Sequence, residues 1–174
     1  RRVDKRLKAI VQRMIELMYE HKGVGLAATQ VNLPLRFFVM NPKGSPEEGE
    51  ARVVINPVLS KPKTPEEAEE GCLSIPQLFG NVVRSKKIRL NAFDLNGNEI
   101  DEVFSGFEAR VIQHETDHLD GVLFIDRMKE GAVEEFRGEL ENLASEFESQ
   151  QRTGGILPDE ELTAQRAAWE AAYG

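Results

Sequence analysis

The segment Gln113-His114-Glu115-Thr116-Asp117-His118 constrains this chain more than any other stretch of it. Read as a helix, it stacks His114 above His118 on one face, because residues four apart along a helix lie one over the other. Two imidazoles so placed can grip one divalent cation. Glu115 then projects beside the cation and not onto it, where a base is needed to take a proton from water. The bland alternative is a helix with two unrelated histidines and a solvated glutamate. That alternative must treat as accident the fact that two of only three histidines in 174 residues fall at this spacing around a glutamate.

Such a site needs a third protein ligand and an open position. The pattern H-E-x-x-H-x-x-G-x-x-H is followed as far as Gly121, but Phe124 stands where its last histidine belongs, and phenylalanine binds no metal. A downstream glutamate is a second solution, although Glu134, Glu135 and Glu139 read as a charged helix face. His21 and the only cysteine, Cys72, remain. Cys72 lies in Glu70-Gly71-Cys72-Leu73-Ser74-Ile75-Pro76, where the glycine allows close backbone approach and the proline marks a bend. A lone cysteine is commonly a small buried apolar residue. Beside two histidines that lack a partner, its thiolate would complete a Cys-His-His set with one position left for water.

Three separated segments carry a resemblance: Gly23-Val24-Gly25-Leu26-Ala27-Ala28-Thr29-Gln30, Glu70-Gly71-Cys72-Leu73-Ser74, and Gln113 through Gly121. In this order they resemble the signatures of the peptide deformylase family over roughly residues 3 to 150. Phe124-Ile125-Asp126-Arg127-Met128 is similar to the plant-organelle (type 1B) form. The resemblance implies a metal-dependent hydrolase that removes the N-formyl group from formylmethionyl nascent chains and releases formate. It implies Cys72, His114 and His118 as metal ligands, Glu115 as base, and the Gln30 amide with the Leu73 backbone N–H as donors to the developing oxyanion. Val24, Gly25, Glu70, Gly71, Phe107, Arg110 and Val111 become substrate-binding positions, and Arg84 and Gln113 support the site. Arg110 departs from the aliphatic residue of the enteric form, and its stem is expected to line the slot with the guanidinium in water. Asp117 is expected to orient an imidazole or to serve as a cap. The implied cofactor is Fe(II), with Zn(II), Ni(II) or Co(II) able to occupy the site.

The remaining sequence bounds this reading. A chain of this length suits one domain burying about 70% of its unfolded surface. One cysteine excludes an internal disulfide, and no apolar run reaches the length of a membrane span, so a soluble protein is expected. A net charge of -8 argues against nucleic acid as a direct partner. A bacterial-type cytoplasm or an organelle stroma or matrix is expected, and Arg1 in place of Met is compatible with a removed transit peptide.

Apolar periodicity predicts a helix over residues 4 to 20, strands at 36–40, 53–55, 82–94 and 99–104, and loops at 42–50 and 61–69. Asn96-Gly97 marks a hairpin, and the histidine helix should run from about Gly106 to Asp120 with Gly121 as its stop. Val133, Phe136, Leu140, Leu143 and Phe147 predict a long C-terminal helix, and Gly154, Gly155 and Pro158 break it before a final helix. The expected fold is α+β, with small antiparallel or mixed sheets packed around a central metal-binding helix and helices at either end. The expected division is a catalytic domain at 1–150 and a C-terminal extension at 151–174. Transient proximity to the ribosome is expected, but residues 130 to 149 are acidic and would repel RNA phosphate. The rival readings are an H-E-x-x-H metallopeptidase, a deformylase-like binder without catalysis, and a structural zinc domain with four closed ligands.

Overall fold

Helix α1 (Lys5–Glu20) begins where Asp4 accepts the backbone N–H of Leu7 at 2.8 Å, and it buries Leu7, Val11, Met14 and Met18 along one stripe. The computed structural model describes residues 3–173. The first two residues and the last, at the outer bounds of the two expected segments, lie outside the described residues.

After α1 the chain forms β1 (Gly25–Ala27), a 3-10 turn (Ala28–Val31), β2 (Phe37–Met40), β3 (Arg52–Cys72), β4 (Ile75–Phe93) and β5 (Glu99–Ser105). These strands make one antiparallel sheet in the order β1-β2-β3-β4-β5. The sheet is followed by α2 (Gly106–Leu119), 3-10 turns at Phe124–Arg127 and Ala132–Phe136, then α3 (Arg137–Thr153) and α4 (Asp159–Tyr173). The architecture is the α+β class expected, with α2 central and helices at both ends.

Strand β2 shows how the layers are organised. Its side chains alternate, so Phe38 and Met40 join Ala109, Val111 and Ile112 of α2, while Phe37 and Val39 join the stripe of α1. The sheet therefore has a helix on each face, and α2 is enclosed. A third cluster of Ile75, Leu78, Val82 and Phe124 receives Leu140 and Leu143 of α3. Helix α4 returns to α1: Trp169 and Tyr173 pack on the cluster around the α1 stripe, and the Tyr173 hydroxyl donates to Asp4 at 2.8 Å.

Three expectations need correction. Residues 61–69 are strand, not loop, and β4 starts at Ile75 rather than near residue 82. Beyond Ile55, β3 pairs only with β4, so Pro62 and Pro65 lie along a free edge, where a missing N–H breaks no ladder. The prolines and charges that imitate a loop are the marks of an edge strand. The C-terminal helix starts at Arg137 and not at Val133, because the left-handed Gly131 (φ 84°) leads first into the 3-10 turn. Gly121, at φ 73°, follows the end of α2 as the sequence indicates.

Candidate active site

Cys72 ends β3 at the tip of the β3–β4 hairpin, and that tip is folded onto α2. Its Sγ lies 3.2 Å from Nε2 of His118, which lies 3.2 Å from Nε2 of His114. All three ligand atoms fall within 4.8 Å of one another. A tetrahedral centre with metal–ligand bonds of about 2.0–2.3 Å needs edges of roughly 3.4 Å, so the cluster fits a divalent cation. Burial alone would raise the Cys72 thiol, but hydrogen bonds from His114 and His118 hold it down to about 5. The thiolate is the form that binds metal.

Behind the cluster sits Glu70, two residues before the cysteine on the same strand. Its carboxylate meets Nδ1 of His114 at 3.0 Å, leaving that ring's Nε2 turned toward the cluster. The same carboxylate accepts Nε and Nη2 of Arg84 at 2.7 and 3.0 Å, and Nη1 of Arg110 at 2.7 Å. Burial would raise its pKa, yet these donors hold it at about 2. Arg84 also donates to Asp117 at 2.7 Å, and Asp117 receives Nε and Nη2 of Arg127 at 3.1 and 2.7 Å.

Asp117 therefore orients no imidazole. It anchors two arginines, and Glu70 is the group that holds a ring. Arg110 also differs from expectation: its guanidinium turns inward to Glu70, Val82 O and Glu66 O rather than out to water. Glu70 has its oxygens committed to these partners, so what it offers a substrate is backbone and not carboxylate.

Glu115 faces the other way. It is 4% exposed, and its Oε2 is the one buried side-chain polar atom without a hydrogen bond among the described residues. Burial raises its pKa to about 7, with the Cys72 charge adding to the effect against the pull of the histidines. Gly25 of β1 makes the room for it. A β-carbon there would come within 2.6 Å of the Glu115 carboxyl carbon, a reason for glycine that the sequence alone does not disclose.

Gln30, in the turn after β1, has its carbonyl fixed by the Ala27 N–H at 2.8 Å. That turns its amide nitrogen to Ser74 Oγ at 3.0 Å and toward Cys72 Sγ at 3.7 Å. Gln113 acts as a tie: it exchanges hydrogen bonds with both backbone groups of Ser85 at 2.8 and 3.0 Å, pinning α2 to β4. A cavity of about 770 Å³ opens over the cluster, lined by Val24, Gly25, Gln30, Glu70, Gly71, Leu73, Phe107, Arg110, Val111 and His114 among others. The structure thus brings together at one cavity the expected residues, with His118, Arg84 and Gln113 outside its lining. Sequence reasoning missed Arg127, whose only signal was its nearness to the motif, and Ser74.

The sequence profile of polypeptide deformylase matches residues 1–134. The chain is 52% identical over 172 residues to a peptide deformylase of Rhodopirellula baltica, covering 99% of this chain and 86% of that one. It is 39% identical to the chloroplastic/mitochondrial peptide deformylase 1B of Arabidopsis thaliana, covering 98% of this chain and 62% of the relative. The crystal structure of Arabidopsis peptide deformylase 1B in complex with an inhibitor superposes with a TM-score of 0.80 at 39% identity, covering 87% of this chain and 83% of the other. A profile matched over most of the chain, relatives aligned along nearly all of it and a shared fold agree with the Cys-His-His cluster and its glutamate: the chain belongs to the peptide deformylase family.

Proposed function

We propose that Glu115 is the base, and Cys72, His114 and His118 the metal ligands, of a hydrolase that removes the N-formyl group from formylmethionyl chain ends. The observation that carries this assignment is the buried, unpartnered Oε2 of Glu115 beside three convergent ligand atoms. A buried carboxylate without a partner is costly, and a pKa near 7 suits a group that must take and return a proton at neutral pH. The cation, Fe(II) in this reading with Zn(II), Ni(II) or Co(II) able to use the same ligands, supplies Lewis acidity to water and to the formyl oxygen.

The protein's own groups account for the rest. Glu115 takes a proton from the attacking water as its oxygen joins the formyl carbon. It returns that proton to the amine nitrogen as the C–N bond breaks, so formate and a free amine leave. Negative charge on the formyl oxygen is met by the Gln30 amide and the Leu73 backbone N–H, donors of a kind worth about 2.7–4 kcal/mol of barrier each. The first side chain enters a slot bounded by Val24, Phe107, Arg110, Val111 and His114. The peptide backbone lies as an added strand along Val24-Gly25 and Glu70-Gly71, which gives affinity with little sequence preference.

In this reading residues 1–150 form the catalytic domain and 151–174 an extension. The substrates are nascent chains met near the ribosome, in a bacterial-type cytoplasm or an organelle. No helix among the described residues is long and apolar enough to cross a membrane. The α3 segment carries four glutamates against two arginines, which argues against direct contact with RNA.

The test is formate release from formyl-Met-Ala-Ser by anaerobically prepared Fe(II) protein, with a chelator control and Glu115→Gln. Loss of activity with both supports the assignment. Full activity in Glu115→Gln would end it.

A further inference from the structure

Apart from the His114 ring, the proposed slot has one polar side chain. Arg110 lines the cavity while remaining 7% exposed, and it is held by three bonds: Nη1 to Glu70 Oε1 at 2.7 Å and to Val82 O at 3.0 Å, Nη2 to Glu66 O at 2.7 Å. Its Nε–H makes no hydrogen bond among the described residues. Arg110 lines the cavity, and the N–H groups that those three bonds leave over are the donors it has free. The slot thus presents, besides the His114 ring, a fixed cationic donor on one wall.

We propose that Arg110 lets this slot accept the side chain of methionine sulfoxide, so that the protein deformylates chains beginning with oxidised formylmethionine as well as formylmethionine itself. The inference rests on the deformylase reading and on Val24, Phe107, Val111 and His114 as the other walls. Methionine's sulfur is a weak acceptor, and oxidation converts it into a polar, chiral sulfoxide with a strong acceptor oxygen. A wholly apolar slot would leave that oxygen unpaired and reject it. A guanidinium already locked by three bonds offers its two remaining N–H groups without further ordering. A donor fixed on one wall favours the sulfoxide epimer whose oxygen is turned toward it.

The experiment compares kcat/KM for formyl-Met-Ala-Ser, its norleucine analogue and the two separated sulfoxide epimers, using the intact metal-loaded protein and Arg110→Met. In the wild type, one epimer should be cleaved within about tenfold of the methionine peptide and the epimers should differ. In Arg110→Met the favoured epimer should fall about tenfold or more against norleucine, while the norleucine-to-methionine ratio holds. These ratios are taken within one protein, so partial unfolding or metal loss cancels. Poor cleavage of both epimers by the wild type, or an unchanged ratio in the variant, would overturn the proposal. Should Arg110→Met fail to fold, the wild-type rate on the better epimer relative to the methionine peptide decides alone. No release from any of the four peptides would instead overturn the deformylase reading, and this one with it.

Discussion

Glu70 and Glu115 are buried to nearly the same degree, at 7% and 4% exposure, on opposite sides of the same cluster. Their chemistry is opposite. Glu70 is surrounded by Arg84, Arg110 and His114 and held near 2, whereas Glu115 has no donor to Oε2 and is pushed to about 7. Desolvation acts on both in the same direction, so partners, not depth, decide which carboxylate is a fixed charge and which can exchange a proton.

The contrast can be broken from either side. Glu115→Gln should lower kcat by about 10²- to 10⁴-fold, as loss of a general base does, with metal content retained and thermal stability unchanged or raised. Parallel measurement of formate release, bound metal and melting temperature checks this, and a large loss of stability would contradict it. Glu70→Ala should do the reverse. It strands two buried guanidinium groups, costing about 3–5 kcal/mol in denaturant unfolding, and frees the His114 ring, weakening metal binding about 10- to 100-fold. Gly25→Ala sharpens the comparison without altering a charge: it displaces the Glu115 carboxylate and should lower kcat about 10²-fold while Glu70 and its partners stay in place. A fully active Gly25→Ala would show that Glu115 has another place to sit.

The smallest effect is expected far from the site. Asp4 has its carboxyl lowered by the Leu7 N–H and then by the Tyr173 hydroxyl. A lowered folded-state value stabilises above the ordinary carboxylate range, and that gain is lost as pH falls through the folded value. Tyr173→Phe should therefore melt slightly below the wild type at neutral pH, with the gap closing in acid. A gap that widened in acid would be inconsistent with this bond.

Much of this was legible in the sequence because the motif residues carry their own geometry. Histidines four apart on a helix must share a face, and β2 alternates with period 2. The partners of those residues were not legible. That His114 rests on Glu70 and Asp117 on Arg127 depends on how the hairpin tip and the turn after α2 fold across α2, and no spacing encodes that. Pro62 and Pro65 misled because local chemistry cannot tell a free strand edge from a loop. Arg110 misled because a guanidinium was assumed to seek water when an existing carboxylate and two carbonyls were waiting for it.

The bond from Tyr173 to Asp4 joins residues 169 apart in sequence. Such a contact can close only after the rest of the fold has brought its ends together, since loop closure over so long a span is repaid late. Helix α4, like α3 without a buried residue among those described, belongs to the least protected part of the fold. Its amides should exchange with solvent well before those of α2, and a growing chain would have its ligand cluster and its glutamate in place before this helix arrives.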